Sequence, residues 1–202
     1  MAGPSRVSSR KNSSEVTIEF GPDRKRHNIS RKYLSDLPWF NDDDDIYTSG
    51  VDEDIGIILL DYLSTGRYEP PRIDPKFSDR IRLRLDLQTT LRVFLVTEIW
   101  PILKLRKITR RKIQTLSKSI TVCDLVEIVD EELSNPDVPK LPRSRQWLYN
   151  HLSNILEKES LEDSGILDEL MEFTDFEDLS LCKELTKRII RFQERRINRA
   201  DE

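Results

Sequence analysis

The sequence predicts an α+β fold, with strands near the amino terminus and then helix after helix, ending in a helical carboxy-terminal extension. Three observations predict it. Val16, Ile18 and Phe20 alternate with Thr17 and Glu19, the period of a half-buried strand. From Asp52 onward apolar residues recur mostly at three- and four-residue spacings, as an amphipathic helix requires. And although 35% of the 202 residues are charged, Leu, Ile, Val and Phe still supply about 30% of the chain, enough to bury a core.

Taken in order, residues 1–14 are rich in Ser, Asn and basic side chains and predict a flexible tail that cannot offset the entropy of ordering. After the first strand, Gly21-Pro22-Asp23 marks a turn, and a second short strand runs from Arg26 to Ile29. Ser30 is placed to cap a helix whose apolar face is Tyr33, Leu34 and Leu37 and which ends before Pro38. Trp39 and Phe40 follow. The adjacent acids Asp42 to Asp45 repel one another and favour a solvated loop, without the alternate spacing and central glycine of a calcium loop. Ile46-Tyr47-Thr48 has strand character. Asp52 then opens a helix with Ile55, Ile58, Leu59, Tyr62 and Leu63 on one face, stopped at Thr65-Gly66.

Residues 67–74, with Pro70 and Pro71, read as an extended exit. Within residues 75–88 the run RIRLRLDL alternates charge and hydrophobe, which leaves open a strand on the sheet edge. From Thr89 the helices begin: Leu91, Phe94, Leu95 and Ile99 line one, Pro101 interrupts, and Leu105, Ile108, Ile113 and Leu116 line the next. Thr121 with Asp124 resembles a capping box ahead of the stripe Val122, Leu125, Val126, Val129 and Leu133. Beyond Pro136, Pro139 and Pro142 lies a helix with Trp147, His151, Leu152, Ile155 and Leu156, then amphipathic segments at Ile166 to Phe173 and Leu179 to Ile197.

The function classes narrow from the same residues. Basic and acidic side chains nearly cancel, 33 against 37, so net charge offers no general argument for nucleic acid or an anionic membrane surface. Cys123 and Cys182 stand far apart with no C-x-x-C neighbour, which predicts neither a disulfide scaffold nor a zinc site and suits a reducing cytoplasmic or nuclear compartment. No apolar run has the length of a signal peptide core or a membrane span. His27 and His151 are the only histidines and lie in different elements, and the two cysteines sit among aliphatic residues where thiols are inert. With no G-x-x-x-x-G-K-[ST] or G-x-G-x-x-G motif, the sequence predicts no enzyme, no cofactor, no metal and no small-molecule substrate. The basic run Lys104, Arg106, Lys107, Arg110, Arg111, Lys112 is the best nucleic-acid candidate, but it alternates with a buried stripe as a solvated helix face does.

Between residues 15 and 155 the chain resembles the BTB/POZ domain, in the divergent form common among small fungal proteins. The strand VTIEF, a turn, a second strand and SRKYLSDLPWF are similar to the family's opening, and IYTSGVDEDIGIILLDYLSTGRYEPP resembles its strand, V-D pair and helix ending Y-L-x-T-G. Val93, Phe94, Val96, Trp100, Leu105, Ile108, Lys112 and Ile113 match positions in its later helices. Thr97 and Thr109 depart from it, replacing small alanines and predicting looser or wetter packing. Only Asn41 to Asp45 separate Phe40 from Ile46, where the family has a further helix and the element its adaptors use to grip a cullin, so the resemblance argues against cullin binding.

The resemblance implies a small mixed sheet packed on helices, acting as a non-enzymatic protein-interaction module that binds protein partners, itself among them. Substrate adaptor of a cullin ubiquitin ligase, and nuclear transcription or chromatin factor, are the alternatives. It divides the chain into a tail over 1–14, a BTB-like domain over 15–118 and a helical extension over 119–202. The candidate interface is the hydrophobic surface around Tyr33, Leu34, Trp39, Phe40, Phe94 and Trp100, although for Leu34 and Leu37 a place in the core is the favoured reading.

Overall fold

The computed structural model describes residues 5–7, 14–135, 141–162 and 185. Its elements are β1 (Ser5–Val7), β2 (Glu15–Phe20), β3 (Lys25–Ser30), β4 (Ile46–Ser49), α1 (Glu53–Thr65), α2 (Asp79–Ile99), α3 (Leu103–Leu116), α4 (Val122–Ser134) and α5 (Pro142–Glu162). The chain is therefore α+β. It divides into two units: the first holds residues 1–78 and 89–113, the second residues 79–88 and 114–202. The expected boundary at 118 falls near the end of α3, but the first ten residues of α2 group with the second unit. The amphipathic segments expected at 166–173 and 179–197 lie outside the described residues, apart from a helical, buried Leu185.

In the first unit the sheet order is β1-β4-β2-β3. β2 and β3 form an antiparallel hairpin, whereas β4 returns parallel to β2 with Ile18 opposite Tyr47, so the sheet is mixed. Part of the predicted tail is a strand: Ser5–Val7 pairs antiparallel with β4. The hairpin turn places Gly21 at φ 67° and Arg24 at φ 51°, left-handed conformations that glycine adopts without strain. Val16, Ile18 and Phe20 enter the core as their alternation predicts. Glu19 is buried as well, but its carboxylate accepts from Arg26 at 3.0 Å and Thr48 at 3.1 Å, so the burial leaves no unmet acceptor. α1 opens with Glu53 and Asp54 at its positive end and closes at Gly66 (φ 71°), whose N–H donates to the Tyr62 carbonyl.

Three expectations are corrected here. The helix expected from Ser30 to Leu37 is a 3-10 turn over Arg31–Tyr33 followed by i to i+3 bonds at Leu34, Leu37 and Phe40, and the Ser30 side chain makes no cap. Pro38 prevents an α-helical ladder from extending, and the few residues before it are too short to nucleate one. The RIRLRLDL run is helix: arginines at 80 and 84 satisfy a four-residue spacing as readily as a two-residue one, and Leu83, Leu87 and Leu91 carry the helical stripe. Thr97 and Thr109 do not wet the packing, because each buried hydroxyl donates to a carbonyl of its own helix, Phe94 at 2.6 Å and Leu105 at 3.0 Å.

The second unit has its own apolar centre, with Leu87, Leu125, Val126, Ile128, Val129, Leu148, Leu152 and Leu156 all buried. α4 begins as predicted: the Thr121 hydroxyl accepts from the Asp124 N–H at 3.2 Å. α5 packs on α4, and Arg145 donates to the Leu133 carbonyl at its end. No helix among the described residues is long and apolar enough to cross a membrane.

Candidate protein interface

The residues expected to form a surface divide into two groups. Leu34, Phe94 and Trp100 are 0%, 0% and 1% exposed, so the folded chain claims them as core rather than interface. Trp100 lies in an aromatic cluster with Phe20 at 6.0 Å and Trp39 at 4.6 Å, and Phe94 is covered by the guanidinium groups of Arg106 and Arg110 at 5.5 and 5.6 Å. Tyr33, Trp39 and Phe40 are half-buried against that core. Trp39 and Phe40 pack around Tyr47, whose hydroxyl donates to the Asn41 carbonyl and accepts from its N–H at 2.8 Å.

The acidic loop is held rather than simply solvated. Arg31, with a side chain 15% exposed, donates to the carbonyls of Asp42 and Asp44 and pairs with the Asp45 carboxylate. The predicted basic run is also partly engaged within its own unit: Arg106 pairs with Glu98 at 3.5 Å, and Lys112 lies 5.2 Å from the Tyr68 ring. Burial, with Arg106 close by, pushes the Arg110 guanidinium down from its usual range. His27 donates to Glu53, which also holds Lys25 at 2.6 Å. Hydrogen bonds from these two partners outweigh desolvation and keep the Glu53 carboxyl below the usual range. His151 stacks on Trp147 at 5.3 Å and lies 3.1 Å from the Ser117 hydroxyl; burial lowers its pKa. Cys123 is half-buried and in no disulfide, and Cys182 lies outside the described residues. Among the described residues no cluster of His, Cys, Asp or Glu is arranged to hold a metal ion.

A concave surface in the second unit was not evident from the sequence. Arg80, Arg84 and Gln88 repeat at four-residue intervals on α2, so they share one face; Asp124, Glu127 and Glu131 share a face of α4. They meet as rungs. Arg80 grips Asp124 through two bonds of 2.8 and 3.0 Å, Arg84 donates to Glu127 at 3.0 Å and Glu131 at 2.8 Å, and Gln88 donates to Glu131 at 3.2 Å. The hydrogen bond to Glu127 leads in raising the Arg84 pKa, while at Asp124 the upward push of desolvation is outweighed by bonds from Arg80 and Thr121.

Beside these rungs lies a groove of about 590 Å³, with Ile81, Leu83, Ile120 and Ile128 as its apolar lining and Arg80, Arg84 and Asp124 at its polar margin. Ile81 is 46% exposed and Leu85, one turn on, 36%, so α2 presents large aliphatic side chains to solvent here. The signal in the sequence was the four-residue arginine spacing together with the matching acid spacing of α4, which only their pairing makes specific.

Over residues 29–120, a little under half of the chain, the sequence is similar to the family model described as the HAC6 N-terminal domain. No curated protein and no solved structure matches the chain.

Proposed function

We propose that the protein is a non-enzymatic protein-protein interaction module, a BTB-like scaffold that binds protein partners, a second copy of itself among them, in the cytoplasm or nucleus. The observation that carries this reading is the groove beside the α2 and α4 rungs: apolar, concave, open to solvent and bordered by paired charges, the anatomy of a site for a partner's apolar side chains. The order of elements supports the BTB-like part. A hairpin, a third strand that makes the sheet mixed and a run of helices are in keeping with the small mixed sheet packed on helices that the resemblance implies.

Light scattering after size exclusion, on the full chain from about 1 to 100 μM (a span of about 2.7 kcal/mol in binding free energy), tests it. A mass that rises toward two chains in the wild type, and stays at one in Ile81→Asp, is the expected result. A monomer at every concentration, whose groove also takes no protein adduct from a photo-crosslinker at position 120, overturns it. A cullin amino-terminal domain added to the same run reads the adaptor alternative directly.

A further inference from the structure

Helix α3 holds six cations and no acid among its fourteen residues, although the chain as a whole carries a net charge of −4. The helix disposes of them unequally. Its buried face is Leu105, Thr109 and Ile113, and on the flanks Arg106, Arg110 and Lys112 lie over the rings of Phe94 and Tyr68. Lys104, Lys107 and Arg111 face outward. Between them stand two aliphatic side chains, Leu103 at 67% and Ile108 at 37% exposure. Residues 103, 107 and 111 form one i, i+4, i+8 row and 104 and 108 the next, so cations and hydrophobes are interleaved on one face.

From this face we infer a docking site for an acidic amphipathic segment of a partner protein, in which carboxylates flank apolar side chains. Charge complementarity selects an anion. The interleaved aliphatics select the kind of anion: Leu103 and Ile108 gain by burial against another protein's apolar side chains and gain nothing from phosphate. A nucleic acid would call for a larger cluster of outward cations and for exposed aromatic side chains for stacking, whereas half of this helix's cations lie on rings of their own unit. The site shares no residue with the α2 and α4 groove and does not depend on it.

The chain's own residues 162–178, with eight acids, six large apolar residues and no base, have the required composition and serve as probe. A fluorescein-labelled peptide of that sequence is titrated with the full chain and followed by anisotropy. The site predicts saturable binding that weakens about tenfold or more when salt rises from about 50 to about 500 mM. It predicts about a tenfold or larger loss in Lys104→Glu/Lys107→Glu, a smaller loss in Lys104→Gln/Lys107→Gln, and about three- to tenfold weakening in Leu103→Asp. Lys76→Glu, an exposed charge change elsewhere, should bind as wild type, and all variants are checked for unchanged far-ultraviolet circular dichroism. Failure of the peptide to bind overturns the proposal. So does Leu103→Asp binding with wild-type affinity, or tighter binding of a single-stranded RNA or of phosphatidylserine vesicles than of the peptide.

Discussion

Gly56 offers the sharpest test of how the first unit is packed. It sits on the buried face of α1, and a methyl group there would lie 2.6 Å from Cδ1 and Cγ of Phe20 and 2.7 Å from Cδ2. Carbon atoms prefer about 3.5–4.0 Å, so the ring would have to retreat by about 1 Å. It has little room to do so. Phe20 is 0% exposed, and its ring is bounded by His27 at 5.9 Å and Trp100 at 6.0 Å. Alanine gains about 1 kcal/mol over glycine inside a helix. Overpacking a filled core costs about 1–3 kcal/mol, so Gly56→Ala should destabilise by about 1 kcal/mol net. Urea unfolding followed by circular dichroism and tryptophan fluorescence should show a lower midpoint with an unchanged slope. In a Phe20→Leu background, where the ring is gone, the same substitution should cost less or become stabilising. A Gly56→Ala variant more stable than wild type by about 1 kcal/mol, or equally damaging with and without the Phe20 ring, would refute the packing described here.

Three other expectations follow from named contacts. Arg84→Met removes the cation that Glu127 and Glu131 share; because these groups are partly exposed, the loss should be about 0.5–1 kcal/mol and should shrink in about 0.5 M salt, read from urea midpoints. Burial holds the His151 imidazole below its usual pKa, so as pH falls through about 6.5 the unfolded chain takes up the proton first. The stability tied to His151 is therefore full above that pH and declines below it, and a His151→Gln variant should show a flatter dependence of its thermal midpoint between about pH 7 and 5; an equal slope in both proteins would contradict this. Leu34→Asp should unfold the first unit while Tyr33→Asp leaves the far-ultraviolet spectrum nearly unchanged, since one side chain is fully buried and its neighbour only half so.

What the sequence revealed and what it hid follow from the range over which each signal acts. β2, α1 and the start of α4 were legible because the determinants are local: Val16, Ile18 and Phe20 alternate, Gly66 can adopt a left-handed turn, and Thr121 reaches an N–H three residues on. The RIRLRLDL run was not, because the arginines at 80 and 84 fit both periods and the deciding partners, Asp124, Glu127 and Glu131, lie more than forty residues away. The aromatic candidates failed for a different reason. Periodicity can place Phe94 and Trp100 on an apolar face, but not say whether that face meets solvent, a partner or Phe20 and Trp39 of the same unit. The groove needed two separated faces at once, so no single window contained it.

An interaction role for this protein requires that the α2 and α4 groove bind protein. A photo-crosslinking residue placed at Ile81 in the full chain, against the same residue at the similarly exposed Ile57 of α1, measures this most directly. Discrete protein adducts are expected at 81, a second copy of the chain among them, that disappear when Ile120→Asp is added, and none at 57. Equal adducts at both positions, or none at 81, would contradict it.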